Sequence, residues 1–309
     1  HTDVPWERAS FLQLAQRWTA FLKRGLYYPK GGYQALANCF VDGFLNQGGQ
    51  LILNSQVAKI LLQGEKAVGV ELTDGTKIST DKVVAGCDLR ETLEVLVGKE
   101  HFPEEYFNSL AVKKLSSSAF YVYLGVSIPE DRIPFSRAVL CSVNNIEQFS
   151  GHLEDGETCP VFIDIPNKYD PDMAAGGNSI IILSVPASVS DLNNWGINGT
   201  GLSGKKYNVL KAEIADKLIE RCEKLIPGLK ERIVVKTVAT PYTFQSCTSN
   251  QNGAAFGWAE LPGELERPGQ VSPIKNLYFV GHWTYPGGGI PSVVESGMVL
   301  TNLIANEKI

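Results

Sequence analysis

The chain has 309 residues, of which 44% are hydrophobic and 20% charged, and its formal net charge is −5. These values are ordinary for a globular protein that is long enough to form two domains. They disfavour a nucleic-acid partner, because no run of lysine and arginine is long enough to follow a phosphate backbone.

The six cysteines are widely and irregularly spaced, without a CxxC pair, and there are only four histidines. The sequence therefore predicts no metal site. The spacing favours reduced thiols in a cytoplasmic compartment over a disulfide framework. No apolar run reaches the roughly 18–20 residues that span a bilayer, and no secretory signal is visible. Because the chain begins with His1, we expect a processed, trimmed or incomplete chain.

The first predicted elements are two amphipathic helices. Apolar residues recur with helical spacing over residues 6–23. A turn with the sequence YPKGG, residues 28–32, precedes a second helix over residues 33–47, which two glycines end. This turn is either a simple helix entry or a loop that approaches a cofactor.

A region rich in β-structure follows. An Asp74-Gly75 turn separates two of its strands, and the last strand is an apolar run typical of a buried sheet. The segments with strand character are residues 50–53, 57–62, 68–73, 77–80 and 82–86.

The middle of the chain predicts a mixed sheet covered by one helix over residues 205–226. Its loops are rich in proline, glycine and asparagine. This pattern of strands, loops and one helix indicates a second domain inserted into the first. The chain returns to the first domain at Asn276. The predicted strands are residues 119–126, 139–143, 161–165, 179–185 and 233–239.

Residues 199–204 spell GxGxxG and precede a helix. A dinucleotide-binding fingerprint needs a strand that runs directly into the glycine loop. Here a polar loop comes first, so we interpret this match as a surface loop.

The C-terminal segment predicts a short buried strand, a glycine-rich turn and a helix. Gly281 allows the backbone to approach a ligand closely. Gly287, Gly288 and Gly289 form a turn, and Pro291 fits the first turn of a helix that is apolar nearly all round and therefore predicted to be buried. The helix N-terminus, with its free N–H groups and partial positive charge, could face the pyrimidine ring of a flavin. A tightly packed strand, turn and helix without a ligand is the alternative.

Other candidate residues surround this element. The segment NGAAFGW, residues 252–258, interleaves small and aromatic residues and is either a pocket wall or a plain core strand. His282 is interpreted as a cofactor contact or as a structural hydrogen bonder. Trp283 and Tyr285 could form an aromatic wall. No hydrolase or nucleotide-triphosphate motif is present.

Three of these segments follow one another along the chain: YPKGG, NGAAFGW and LYFVGHWTYPGGGIPSVVESG. They have the same order in the bacterial-type phytoene desaturase and carotenoid isomerase family, which the chain resembles over nearly its whole length. The family belongs to the amine-oxidase-like FAD-dependent superfamily. The chain departs from it by having no N-terminal βαβ unit with a pyrophosphate-binding loop. It therefore resembles a remnant of the FAD-binding fold, of mixed α/β class, that should hold FAD weakly or not at all by itself.

The resemblance implies a role for each matching position. Val57 falls where a strand meets the adenine, and Gly281 and His282 fall at the ribityl–phosphate region, where the superfamily usually has Gly-Asp. The residues that approach the flavin ring are Gly288, Gly289, Ile290 and Pro291. Those that line the substrate pocket are Phe256, Trp258 and Tyr285.

The implied domains are a helical cap segment (residues 1–27), part of an FAD-binding domain (28–95), a substrate-binding domain (96–268) and the closing strand and helix of the FAD domain (269–309). The implied activity is an FAD-dependent oxidation, saturation or isomerisation of a long apolar polyene, by hydride exchange with flavin N5. Peripheral contact with a membrane is expected, because polyenes partition into lipid, and a plastid location is expected if the source is a photosynthetic eukaryote. The alternatives are an amine or amino-acid oxidase, and a non-catalytic lipid-binding fragment.

Overall fold

The computed structural model describes residues 11–141, 153, 159–187, 204–261 and 266–306. The described chain forms two compact units. The first contains Ile52–Ser117 and Thr243–Ile309, and the second contains Phe11–Leu51 and Ser118–Tyr242.

Two small sheets organise the first unit. Strands β1 (Val57–Gln63), β2 (Lys66–Leu72) and β3 (Lys77–Ser79) form an antiparallel meander. Strand β4 (Val83–Ala85) pairs in parallel with the distant β10 (Leu277–Phe279). This pairing brings the early and the late parts of the sequence together.

Helices complete the first unit. Its core contains Leu89, Leu93, Phe279 and the two tryptophans Trp258 and Trp283. The helices are α3 (Leu89–Glu91), which continues as a π-helix (Thr92–Val97), α4 (Glu104–Ala111) and α7 (Ile290–Asn306), while α6 (Pro241–Thr248) begins at the end of the second unit.

The second unit is built on an antiparallel five-stranded sheet in the order β6-β7-β8-β5-β9. One face of the three central strands is buried, with Phe120, Val122 and Leu124 in one core with Ile214 and Leu218 of helix α5. The elements are α1 (Phe11–Arg24), α2 (Gly32–Asn46), β5 (Ser118–Val126), β6 (Arg137–Leu140), β7 (Val161–Asp164), β8 (Ser179–Ala187), α5 (Gly204–Glu223) and β9 (Ile233–Ala239).

Short 3₁₀ turns connect these elements. They comprise Lys99–His101, Glu130–Arg132, Pro166–Lys168, Pro171–Met173, Lys230–Arg232 and Gln251–Gly253.

Most predicted elements are confirmed, and two predictions are wrong. Residues 50–53 form no strand; Leu53 is exposed there. Helix α7 is not buried all round, because the described residues cover one side of it only: Met298 is 62% exposed, whereas Ser296 and Leu300 are buried. The GxGxxG match lies outside the described residues except for Gly204, which begins α5.

The compact units divide the chain at positions other than the predicted domain boundaries. Helix α2 belongs to the second unit, and residues 96–117 belong to the first. The YPKGG turn enters α2 through the N–H of Gly31, which donates to Asp170 Oδ2 at 2.6 Å. The assignment of FAD binding and substrate binding to particular domains stays a prediction.

Candidate functional site

The candidate site begins where the two parallel strands end. Strand β10 leads to Gly281, which has a φ of +97°. Of the atoms that the structure describes, a Cβ built on this glycine would meet within 4 Å only the carbonyl oxygen of Gly86, at 3.8 Å, just beyond β4. The carboxyl edge of parallel strands is where ligands bind in open α/β sheets. The backbone at Gly281 is therefore free to approach a ligand.

A hydroxyl on helix α7 fixes the turn that follows. The buried Ser296 Oγ accepts the N–H of Gly281 at 3.1 Å and lies 2.9 Å from Thr284 Oγ1. Gln270 Nε2 donates to the carbonyl of Tyr285 at 2.5 Å and reaches Ser296 Oγ at 3.4 Å. Side chains of α7 and of Gln270 thus help to hold the turn in place.

The three consecutive glycines have different surroundings. A Cβ on Gly287 would lie 2.6 Å from Arg267 Nε, and one on Gly288 would lie 2.7 Å from the Cβ of Phe256. No described atom lies within 4 Å of a Cβ built on Gly289, whose φ is +101°. Close packing against protein therefore accounts for the first two glycines, whereas Gly289 faces open space.

Helix α7 starts directly after these glycines, at Ile290, with Pro291 in its first turn. Its first turn has no acidic side chain. The first N–H groups of a helix carry a partial positive charge. This end of α7 can therefore accept a negatively charged or electron-rich group.

His282 lies between the turn and the core. Burial, and secondarily the charge of Arg267, lowers its pKa to about 4, so the imidazole is neutral near pH 7. Its Nε2 is buried and has no hydrogen-bond partner among the described residues. A buried polar atom without a partner is unusual in a folded protein and indicates that a bound group supplies the missing hydrogen bond.

The NGAAFGW segment lies beside the turn but is not a strand. Trp258 is 2% exposed and packs edge-on against Trp283, with ring centroids 4.9 Å apart. Its Nε1 donates to the carbonyl of Trp283 at 3.1 Å. Phe256 is half-buried and Tyr285 is 54% exposed. The substrate-wall roles of Phe256, Trp258 and Tyr285 stay predictions, with Trp258 placed in the core.

Two important polar residues were not among the predicted site residues. Asp88 is fully buried at the N-terminus of α3, and its carboxylate accepts the N–H groups of Arg90 and, at 2.7 Å, Gln251. Burial raises the pKa of Asp88. Its position after a strand and before a helix is an N-cap signal in the sequence. Arg267 is the second, and no local pattern marks it.

Val57 opens β1 and pairs with Leu72. A bulge follows it, between Val57 and Lys59. Its predicted adenine contact stays a prediction, as do the cofactor roles of the other residues.

The described residues contain no group of three potential metal ligands. Among the helices that the structure describes, none combines the length and the apolar character required to cross a bilayer. All six cysteines are free thiols.

Comparison with known proteins agrees with this geometry. Residues 5–299 match the family described as flavin containing amine oxidoreductase, so the chain belongs to that family of flavin-dependent proteins.

Two curated relatives are more specific. The chain is 31% identical over 290 residues to prolycopene isomerase 2, chloroplastic, of an Oncidium hybrid cultivar, covering 91% of this chain and 46% of that protein. It is 26% identical over 292 residues to the lycopene-forming phytoene desaturase of Pseudescherichia vulneris, covering 92% of this chain and 57% of that protein. The chain thus spans about half the length of the curated relatives it matches.

Among solved structures, an oxidoreductase from Methanosarcina mazei superposes with a TM-score of 0.57 at 17% identity, covering 89% of this chain and 55% of the other. This likeness shows the shared fold. The predicted resemblance to carotenoid desaturases and isomerases, and the mixed α/β flavoprotein fold, are confirmed.

Proposed function

We propose that this chain is part of an FAD-dependent oxidoreductase that desaturates, saturates or isomerises a long apolar polyene. The observation that carries the proposal is the glycine turn after β10. It presents open backbone at Gly281 and Gly289, ahead of the N-terminus of α7, in a chain of the flavin-containing family.

The residues present fit a flavin. The unpartnered Nε2 of His282 would supply a neutral hydrogen-bonding group, because the low pKa keeps the imidazole uncharged near pH 7. The N–H groups at the start of α7 would bind an electron-rich ring edge. Gly281, Gly289 and Ile290 would hold the cofactor through backbone, while Pro291, which has no N–H, would fix the first turn of α7. Val57 is the proposed adenine contact.

When bound, a flavin supplies the acceptor or donor for hydride transfer. The chain's own contribution is placement and exclusion of water. Phe256 and Tyr285 would contact the substrate with apolar surface, worth about 25 cal/mol per Å² buried. The Trp258–Trp283 pair supports this wall from the core.

A second observation supports a long apolar substrate. The face of the five-stranded sheet opposite its core carries Tyr121, Tyr123 and Ile182, which are only partly buried. Phe162 lies on the same face, since it pairs with Ser184, the partner of Tyr121. The ion pair Arg137–Asp164 lies on this face as well, because Asp164 pairs with Ile182. Nine residues of β5 span about 30 Å, so the tyrosines and Ile182 offer a partly apolar surface of the length that an extended polyene needs.

Contact with a lipid surface also forms part of the proposal. Helix α1 and the segment after it expose Trp18, Phe21, Leu22 and Tyr27, and Leu22 is 80% exposed. Exposed aromatic and aliphatic side chains on an amphipathic helix are typical of interfacial binding. In a liposome flotation assay, Leu22→Glu should reduce binding, while Val112→Glu, at an exposed position in the other unit, should not. Equal binding of both variants and the unchanged chain would contradict the α1 surface.

The decisive test of the function is an absorption spectrum of the purified chain before and after addition of FAD and desalting. A structured visible band that survives desalting, followed by conversion of carotenoid precursors by the loaded protein, would support the proposal. Hydrogen peroxide formed with amines and not with polyenes would instead favour the amine oxidase alternative. Tight polyene binding without retained flavin would favour a lipid-binding fragment and overturn the proposed activity.

A further inference from the structure

The charged side chain of Arg267 lies inside the first unit, beneath the candidate site. It is 4% exposed. Its Nη1 donates to the carbonyls of His282, at 2.7 Å, and Phe256, at 3.3 Å, and its Nη2 donates to the carbonyl of Trp258 at 2.8 Å. The carboxylate of Glu260 lies 3.6 Å from Nη2. One guanidinium thus binds two segments that are separated in sequence.

The chemistry of arginine suits this arrangement. A guanidinium is planar, always charged and presents five donors in a rigid fork, whereas a lysine ammonium is a point charge on a flexible stem. A buried charge is costly unless it is paired and hydrogen-bonded, and here three carbonyls and Glu260 supply those partners. Lysine could keep the charge but could not reach the three carbonyls with the same geometry.

The glycine turn is shaped around this side chain. Gly287 has a φ of +125°, and a Cβ there would lie 2.6 Å from Arg267 Nε and 3.2 Å from its Cδ. Gly288 packs against Phe256, one of the residues that the guanidinium holds. The next residue of the chain, Pro268, accepts the N–H of Tyr285 at 2.9 Å. Arg267 and its neighbour therefore contact the turn from residue 282 to residue 287.

We propose that Arg267 is a positioning residue. Its guanidinium sets where the glycine turn lies relative to the Phe256–Trp258 loop. It thereby sets where the cofactor side of the site lies relative to the aromatic wall. This inference rests on the proposed flavin site. The charge of Arg267 has a second consequence, because it contributes to the lowered pKa of His282. The effect of Arg267 on the position of the turn and the effect of its charge on the pKa of His282 can be separated by experiment.

The test compares the unchanged chain with Arg267→Lys and Arg267→Met, all without added FAD. Lys59→Met, which removes an exposed positive charge on β1 of the same unit, is the control. Amide hydrogen exchange over residues 281–289 should accelerate about tenfold or more in both arginine variants, and stay unchanged in Lys59→Met. Amides of β5 and β8 in the second unit should not respond.

The titration of His282, followed by NMR, separates the two roles. Its pKa should stay near that of the unchanged chain in Arg267→Lys and rise in Arg267→Met, where the neighbouring charge is lost. An unchanged exchange rate at residues 281–289 in Arg267→Lys would overturn the proposal. Equal acceleration throughout the protein would also overturn it, because it would show a general structural role.

If the variants fail to fold, the unchanged chain still tests whether Arg267 links the two segments. A guanidinium held by three carbonyls should give separate, slowly exchanging Nη resonances, whereas a single averaged resonance would contradict the cross-link. A parallel FAD titration tests the proposed function by itself. If no chain binds FAD but exchange over residues 281–289 accelerates in the arginine variants as expected, the flavin role is removed and the placement of the turn by Arg267 stands. Accelerated exchange together with weakened FAD binding in the arginine variants only would support both.

Discussion

The hydroxyl of Ser296, in the middle of helix α7, accepts the backbone N–H of Gly281 at 3.1 Å, where the chain leaves strand β10. The same oxygen lies 2.9 Å from Thr284 Oγ1. Ser296 is fully buried. A polar group on the buried side of helix α7 thus ties the candidate cofactor turn to the helix whose N-terminus faces the same site.

Ser296→Ala should leave the Gly281 N–H without its partner and lower the free energy of unfolding by about 1–3 kcal/mol. Thr301→Ala, at an exposed position on the same helix, should change it by less than about 0.5 kcal/mol. Urea unfolding of both variants checks this. Equal stabilities would show that the Ser296 network contributes nothing to holding the turn.

Gly288→Ala should destabilise the protein by about 1–3 kcal/mol, because the new methyl group would overlap Phe256. Gly297→Ala is the matched control, since no described atom lies within 4 Å of a Cβ there. It should stabilise helix α7 by up to about 1 kcal/mol. Thermal unfolding in parallel measures both, and a tolerated Gly288→Ala would contradict the close packing of the turn on the aromatic loop.

The lowered pKa of His282 predicts a pH dependence of stability. The unfolded chain binds a proton near pH 6.5 and the folded chain only near pH 4, so the unfolded state gains protons first as the pH falls. His282 should therefore contribute full stability above pH 6.5 and lose it progressively between pH 6.5 and 4. At pH 4.5 the loss should be about 2–3 kcal/mol.

The measurement for His282 is the difference in unfolding free energy between pH 7 and pH 4.5, for the unchanged chain and for His282→Gln. The variant should lack this part of the acid sensitivity. Identical acid sensitivity in both proteins would mean that the folded imidazole titrates normally.

Trp258→Phe should cost about 2–3 kcal/mol, because it removes the hydrogen bond to the Trp283 carbonyl and reduces the contact with Arg90, whose Cζ lies 5.0 Å from the indole ring. Trp18→Phe, on the exposed face of α1, should lie within about 0.5 kcal/mol of the unchanged chain. Chemical unfolding checks both. A cost for Trp18 equal to that for Trp258 would contradict the different burial of the two side chains.

Much of the secondary structure follows from local pattern. The strand alternation of β2 and the Asp74-Gly75 turn predict a hairpin, and the structure pairs Val70 with Ile78 across it. The apolar runs of β4 and β10 also predict strands. Their parallel pairing does not follow from either run, because 191 residues lie between Ala85 and Leu277 and the two segments meet only through the packing of the first unit.

The features of the candidate site also divide into those that local sequence predicts and those that it does not. The sequence by itself determined the glycine turn, the helix that follows it and the aromatic NGAAFGW segment, since glycine conformations, helix periodicity and resemblance to a family are properties of local sequence. Only the tertiary structure decided that Arg267, Ser296 and Asp88 hold these pieces together. Each of these side chains binds backbone groups from distant segments, and such partners are defined only when the chain is folded.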